Sequence, residues 1–153
     1  MTRSTDPNPQ VRRAEPTDSG RIRELQSYLR QPSPDLLEYG LVTGDVLVSV
    51  ETTEADGTTE AGGGVVGYLL PVDAPNRAGC HLAELVVDPA FRREGRARGL
   101  LSAVLRDADG PVTLQAHPGN DAALSLYDSL GFTVVDRRPD AYADGDALVL
   151  RYD

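Results

Sequence analysis

Val86-Val87-Asp88-Pro89-Ala90-Phe91-Arg92-Arg93-Glu94-Gly95-Arg96-Ala97-Arg98-Gly99-Leu100-Leu101 is the stretch on which the reading of this chain turns. Its two valines close an apolar run that starts at Leu82 and is broken only by Glu84, the pattern of a central strand. Asp88-Pro89 ends the strand. From Arg96 to Asp107, Ala97, Leu100, Leu101, Val104 and Leu105 recur at i, i+3, i+4, i+7 and i+8, which predicts an amphipathic helix. The first turn of a helix has amides without intrahelical acceptors, and the aligned peptide dipoles favour an anion there. Gly95 and Ala97 let a diphosphate approach the backbone with no bulky side chain in the way. Arg92, Arg93, Arg96 and Arg98, four of the 15 basic residues, lie within seven positions and concentrate positive potential at the same place. The spacing is neither the Gly-Lys-Ser/Thr of a Walker loop nor the Gly-x-Gly-x-x-Gly of a dinucleotide site.

Working outward, Val11–Ala14 reads as a first strand after a frayed tail of nine residues. Thr17 or Asp18 can cap a helix with Ile22, Leu25 and Leu29 on one face. The Pro-containing stretch 31–35 breaks it, and Leu36–Tyr39 forms a further short helical turn. Asp45–Val50 and Val65–Val72 are the arms of a hairpin whose polar, glycine-rich loop at 51–64 is expected to be mobile. On the other side, Pro111–Ala116 is a strand. Asn120 or Gly119 caps a helix with Ala123, Leu126, Tyr127 and Leu130 inward and Gly131 at its end. Phe132–Arg137 and Ala147–Tyr152 are two closing strands joined by a turn rich in Pro, Asp and Gly. Hairpin arms are antiparallel, whereas strand–helix–strand over 82–116 makes a parallel crossover. The pattern predicts one α/β domain over all 153 residues, a mixed sheet flanked by helices.

Composition narrows the partners. The chain carries 24 acidic and 15 basic residues, a net charge of −9, with Asp outnumbering Glu 16 to 8 and every basic residue an arginine. Such a surface repels nucleic acid at long range. It resembles proteins from salt-loving organisms; GC-rich coding, which also replaces Lys by Arg, accounts for the same pattern. No apolar run approaches the roughly 20 residues needed to cross a bilayer, and the polar amino terminus lacks the core of a signal peptide, so a cytoplasmic protein is expected. The single Cys80 excludes an internal disulfide. His81 and His117 lie in no ligand-spaced cluster, so no metal is expected.

Arg92, Gly95 and Ala97 occupy the fixed places of the Arg/Gln-x-x-Gly-x-Gly/Ala signature, and this region resembles the GNAT superfamily of N-acetyltransferases. A second stretch, Asn120-Asp121-Ala122-Ala123-Leu124-Ser125-Leu126-Tyr127-Asp128-Ser129-Leu130-Gly131-Phe132, is similar to that superfamily's Asn-x-x-Ala-x-x-x-Tyr-x-x-x-Gly-Phe element. The resemblance implies a mostly antiparallel sheet with splayed fourth and fifth strands, and acetyl-coenzyme A (acetyl-CoA) as cosubstrate without a metal. It implies that Arg92, Arg93, Glu94, Gly95, Arg96, Ala97 and Arg98 surround the pyrophosphate. An amide near Leu85 or Val86 would meet the thioester oxygen, with Val87 and Asn120 on the pantetheine arm. Tyr127 would be the general acid, since a phenol of pKa about 10 stays protonated at neutral pH. Residues 137–150 resemble the end of ribosomal-protein and protein N-terminal alanine acetyltransferases, in which a tyrosine near Tyr142 cradles the acceptor's amino terminus.

The general base stays open among three readings. Glu84 is a lone carboxylate, tolerable in an apolar strand if it faces an open cleft. His81 begins the same strand. The third reading is no dedicated base, because an α-amine with pKa about 7.7–8.0 is partly neutral unaided. Gln115 stands where relatives carry a Glu and cannot accept a proton. His117 reads as a loop residue near the cosubstrate, and Cys80 as an inert thiol. The acceptor is a protein N-terminal α-amine or a small amine such as an amino acid, polyamine or antibiotic; a non-catalytic acyl-CoA-binding module is the remaining reading. A monomer or homodimer is expected.

Overall fold

Proline and glycine punctuate this chain where its helices start and stop. The computed structural model describes residues 11–29, 32–51, 64–73, 79–92, 95–142 and 145–153. The tail at 1–9 and most of the loop at 51–64, both expected to be mobile, lie outside the described residues. The strands are β1 (Val11–Arg13), β2 (Leu47–Val50), β3 (Val65–Asp73), β4 (Cys80–Val87), β5 (Val112–Ala116), β6 (Thr133–Tyr142) and β7 (Gly145–Tyr152). The helices are α1 (Ser19–Gln26), α2 (Pro34–Thr43), α3 (Arg96–Asp107) and α4 (Asp121–Leu130). The strands form one mixed sheet in the order β1-β2-β3-β4-β5-β7-β6. The pairs β1–β2, β2–β3, β5–β7 and β6–β7 are antiparallel, and β4–β5 is parallel as the crossover required. The parallel ladder covers Cys80↔Val112, His81↔Thr113 and Leu82↔Leu114 and stops there, although β4 continues to Val87 and β5 to Ala116.

Two compact units, interleaved in sequence, make up the chain: Met1–Pro71 with Glu84–Asp107, and Val72–Ala83 with Ala108–Asp153. The first unit has its own core of Ile22 and Leu25 from α1, Leu37 from α2, Val48, Tyr68, Leu69 and Leu70 from the hairpin, and Leu100 and Leu101 from α3, none more than 1% exposed. Each such aliphatic side chain removed from water stabilises the fold by about 1.5–3 kcal/mol. β3 reaches β4 closely at Gly67, where a Cβ would meet the Val86 carbonyl oxygen at 2.8 Å. In the second unit Val112, Leu114, Ala116, Tyr127, Phe132, Ala147 and Leu150 are buried.

Two elements exceed their sequence expectation. α2 is a full ten-residue helix, not a short turn at Leu36–Tyr39. Pro34 stands at its start, where the fixed φ of proline favours a helix and no N–H is missed. β6 continues through the segment expected to be a turn and reaches Tyr142, with register shifts between Val134 and Asp136 and between Arg138 and Tyr142. Pro139 sits inside the second irregularity, where a strand tolerates a residue that cannot donate. Asp140 takes the left-handed φ of 54° there, and its N–H donates to Asp146 Oδ1 at 3.0 Å.

Candidate active site

In the first unit the loop after β4 is held from both sides. The Asp88 N–H donates to the Val66 carbonyl at 2.8 Å. Its carboxylate accepts from the Ala90 N–H at 2.8 Å and from Arg21 at 2.6 Å, while Arg21 Nε donates to the Val65 carbonyl at 2.9 Å. The Ala90 N–H and then Arg21 hold the Asp88 carboxyl below the usual carboxylate range. Arg92 Nε donates back to the Val87 carbonyl at 3.1 Å, so this arginine braces the end of β4. Arg96 reaches the Ser49 hydroxyl at 3.1 Å and the Val50 carbonyl at 3.3 Å, with its guanidinium 5.7 Å from the Phe91 ring centroid. Arg98 is exposed, and Arg93 and Glu94 lie outside the described residues. The sequence reading took these arginines as phosphate ligands; the contacts seen for Arg92 and Arg96 are with Val87, Ser49 and Val50 of the protein itself.

Gly95 has φ of 79°, the left-handed region that a side chain strains to enter. Among the described residues a Cβ added there would find nothing within 4 Å, so on their side the space in front of α3 is open. The first intrahelical bond runs from the Gly99 N–H to the Gly95 carbonyl at 2.9 Å, which leaves the amides of the first turn directed out of the helix end. An open approach, a helix amino terminus and nearby arginines fit a diphosphate. Ala97 in that first turn is half-buried and adds no bulk.

Leu85 is half-buried, and Val86 and Val87 are buried at the end of β4. Glu84 does not behave as the sequence suggested. It is 3% exposed and hydrogen-bonded through both oxygens. One oxygen accepts from the Tyr68 hydroxyl at 2.8 Å, the other from the Ser33 N–H at 2.6 Å, and Gln26 Nε2 lies 3.1 Å from both. Burial first, and then the Glu84 carboxylate, pushes the Tyr68 hydroxyl far above its ordinary range, so it remains a donor at all working pH. Both oxygens of this carboxylate are thus already taken by donors of the protein itself.

The second unit carries the other candidates. Asn120 caps α4, its Oδ1 accepting from the Ala123 N–H at 3.2 Å. Tyr127, 8% exposed, is seated edge-on against Phe132 with centroids 5.9 Å apart, and Phe132 in turn leans on Tyr152 at 5.6 Å. His81 Nδ1 lies 2.8 Å from the Thr113 hydroxyl on the neighbouring strand. Burial, and secondarily Arg138, lowers the His81 pKa, so the ring is neutral at neutral pH. Gln115 follows Thr113 by two residues along β5 and so shares its face. His117 Nδ1 accepts from the Gly119 N–H at 2.9 Å, ordering the turn before Asn120. Burial, then Asp73 and Asp109, raises the Cys80 thiol, which makes it a poor nucleophile. Tyr142 ends β6 opposite Gly145; its side chain lies outside the described residues.

Sequence reasoning missed Gln26, Ser33, Tyr68, Arg21 and Thr113. Gln26 did carry a signal, because it stands on the inward stripe of α1 beside Ile22 and Leu25, where a polar residue needs a buried partner. No cluster of three or more His, Cys, Asp or Glu residues able to hold a metal occurs among the described residues. No described helix is long and apolar enough to cross a membrane.

The chain matches the family described as acetyltransferase (GNAT) over residues 22–132. It is 38% identical over 100 residues to the N-alpha-acetyltransferase RimI of Mycobacterium tuberculosis, covering 61% of this chain and 62% of the relative. It is 56% identical over 50 residues to the mycothiol acetyltransferase of Clavibacter sepedonicus, covering 32% of this chain and 16% of the relative. It therefore spans less than two thirds of the length of either. A chain in the crystal structure of the NatC complex bound to Gag peptide and CoA shares the fold, with a TM-score of 0.77 at 22% identity, covering 93% of this chain and 96% of that one. Both motif stretches, around Gly95 and around Tyr127, fall inside the matched span, and the chain belongs to the GNAT family of acetyltransferases.

Proposed function

We propose that this protein transfers an acetyl group from acetyl-CoA to a primary amine, the acceptor being a protein N-terminal α-amine. The observation that carries the reading is the open, left-handed Gly95 at the mouth of α3. Acetyl-CoA supplies an acyl group already activated as a thioester, so the chain has only to bind, orient and move protons. The first-turn amides of α3, with Arg92, Arg96, Ala97 and Arg98 beside them, hold the diphosphate; Arg93 and Glu94 are assigned to the same task from the motif alone. An amide at Leu85 or Val86 donates to the acyl carbonyl oxygen, which stabilises charge as it develops. Val87 and Asn120 guide the pantetheine arm, and Tyr127 donates the proton that the departing sulfur needs. Tyr142 contacts the acceptor.

For the base, the geometry favours His81 over Glu84. His81 is neutral at neutral pH, and the tautomer with Nδ1–H donating to Thr113 leaves Nε2 able to take the amine's proton. Support for a protein acceptor comes from the likeness to RimI and from the peptide named with the NatC structure. The relative named for mycothiol favours a second reading, a small-molecule acceptor.

Two measurements test this. Calorimetry with acetyl-CoA and with CoA should show binding to the purified chain; none in either titration sinks the reading. Thiol release is then followed with peptides beginning in Ala, Ser, Thr or Met against free amino acids and polyamines. Faster turnover of a peptide upholds the protein acceptor, and turnover of free amines alone replaces it.

A further inference from the structure

Glu84 is a buried carboxylate that ties several distant segments together. Its partners come from α1 (Gln26), from the connection between α1 and α2 (the Ser33 N–H) and from β3 (the Tyr68 hydroxyl). All of these lie in the first unit, with Glu84 itself near the middle of β4. The next residue, Leu85, points to the opposite face of the strand. A buried carboxylate with too few donors is strongly disfavoured, so the arrangement is stable only while α1, β3 and the Ser33 segment all stay in register with β4. We propose that Glu84 is a positioning residue: it fastens the α1–α2 connection to the part of β4 that receives the acyl donor, and it exchanges no proton with substrate. The inference deepens the proposed acetyltransfer and rests on it.

Glu84→Gln offers one oxygen and one NH2 group to sites now filled by donors, so at least one contact becomes donor against donor. Hydrogen exchange of the Ser33 amide is measured first, without acetyl-CoA, in the wild-type chain and in E84Q. The Ser33 amide should be protected in the wild type and exchange at least about tenfold faster in the variant. The pH profile of kcat/KM should keep its acid limb at the same midpoint, with a rate loss below the roughly 100-fold that removal of a general base brings. Unchanged Ser33 exchange, or disappearance of the acid limb, overturns the proposal. Should E84Q fail to fold, Tyr68→Phe removes a single donor; faster Ser33 exchange with the acid limb retained supports the anchor, and unaltered exchange refutes it. Because the exchange experiment needs no cosubstrate, a chain that fails to bind acetyl-CoA defeats the proposed function without blurring this result.

Discussion

Tyr127 holds its place through an aromatic stack, with Phe132 at its edge and Tyr152 behind. A ring fixed in this way presents its hydroxyl in one direction, which a proton donor requires. Tyr127→Phe keeps the stack and removes the donor. It should bind acetyl-CoA with unchanged affinity by calorimetry and turn over at least about ten times more slowly; an unchanged rate removes Tyr127 from the mechanism. His81 makes a pH prediction. Its folded pKa lies below 6.5, so the unprotonated, active form dominates at pH 7 and is lost as the pH falls through that lowered value. The acid limb of kcat/KM should lie below pH 6.5 and vanish in His81→Ala. The places of Tyr127 on α4 and of Asn120 at its cap were legible because spacing along one helix displays them. The surroundings of Glu84 were not: its partners Gln26, Ser33 and Tyr68 stand 58, 51 and 16 residues away, and only the folded sheet reveals that a lone charge is fully bonded.

At the level of elements, α3 was readable to the residue because its apolar period runs unbroken from Ala97 to Leu105. α4 was equally readable, bounded by Asn120 and by Gly131 at φ of 105°. α2 was underestimated, since Leu36, Tyr39 and Val42 spread apolar residues over a face that packing leaves 41–79% exposed. The extension of β6 was hidden by Pro139 and Asp140, residues that ordinarily announce a turn. The entry to α3 carries the sharpest test at this scale. Gly95→Val forces a branched side chain into the left-handed region, at a cost of order 1–2 kcal/mol, and fills the space in front of the helix. Affinity for acetyl-CoA should fall at least about tenfold in calorimetry, while affinity unaffected by the change would place the diphosphate elsewhere.

Over the whole molecule, charge sets the response to solvent. With 24 acidic against 15 basic residues, self-repulsion acts over a screening length of roughly 30 Å at 0.01 M salt and about 3 Å at 1 M. The unfolding midpoint followed by calorimetry should rise from low to molar salt; a midpoint that fell would remove charge from the account of stability. An all-arginine complement also means that this chain offers its own chemistry no lysine side chain as an acceptor.

Of the two edge strands of the sheet, β6 has a further consequence. Its two irregularities, its proline and its run Asp136-Arg137-Arg138 interrupt the regular row of donors and acceptors that a neighbouring molecule could zip onto. Val134 and Val135, both more than half exposed, lie directly beside the first interruption. This border is therefore guarded against fibre-like growth where greasy side chains would most invite it, and crowded solutions of the folded protein should stay clear.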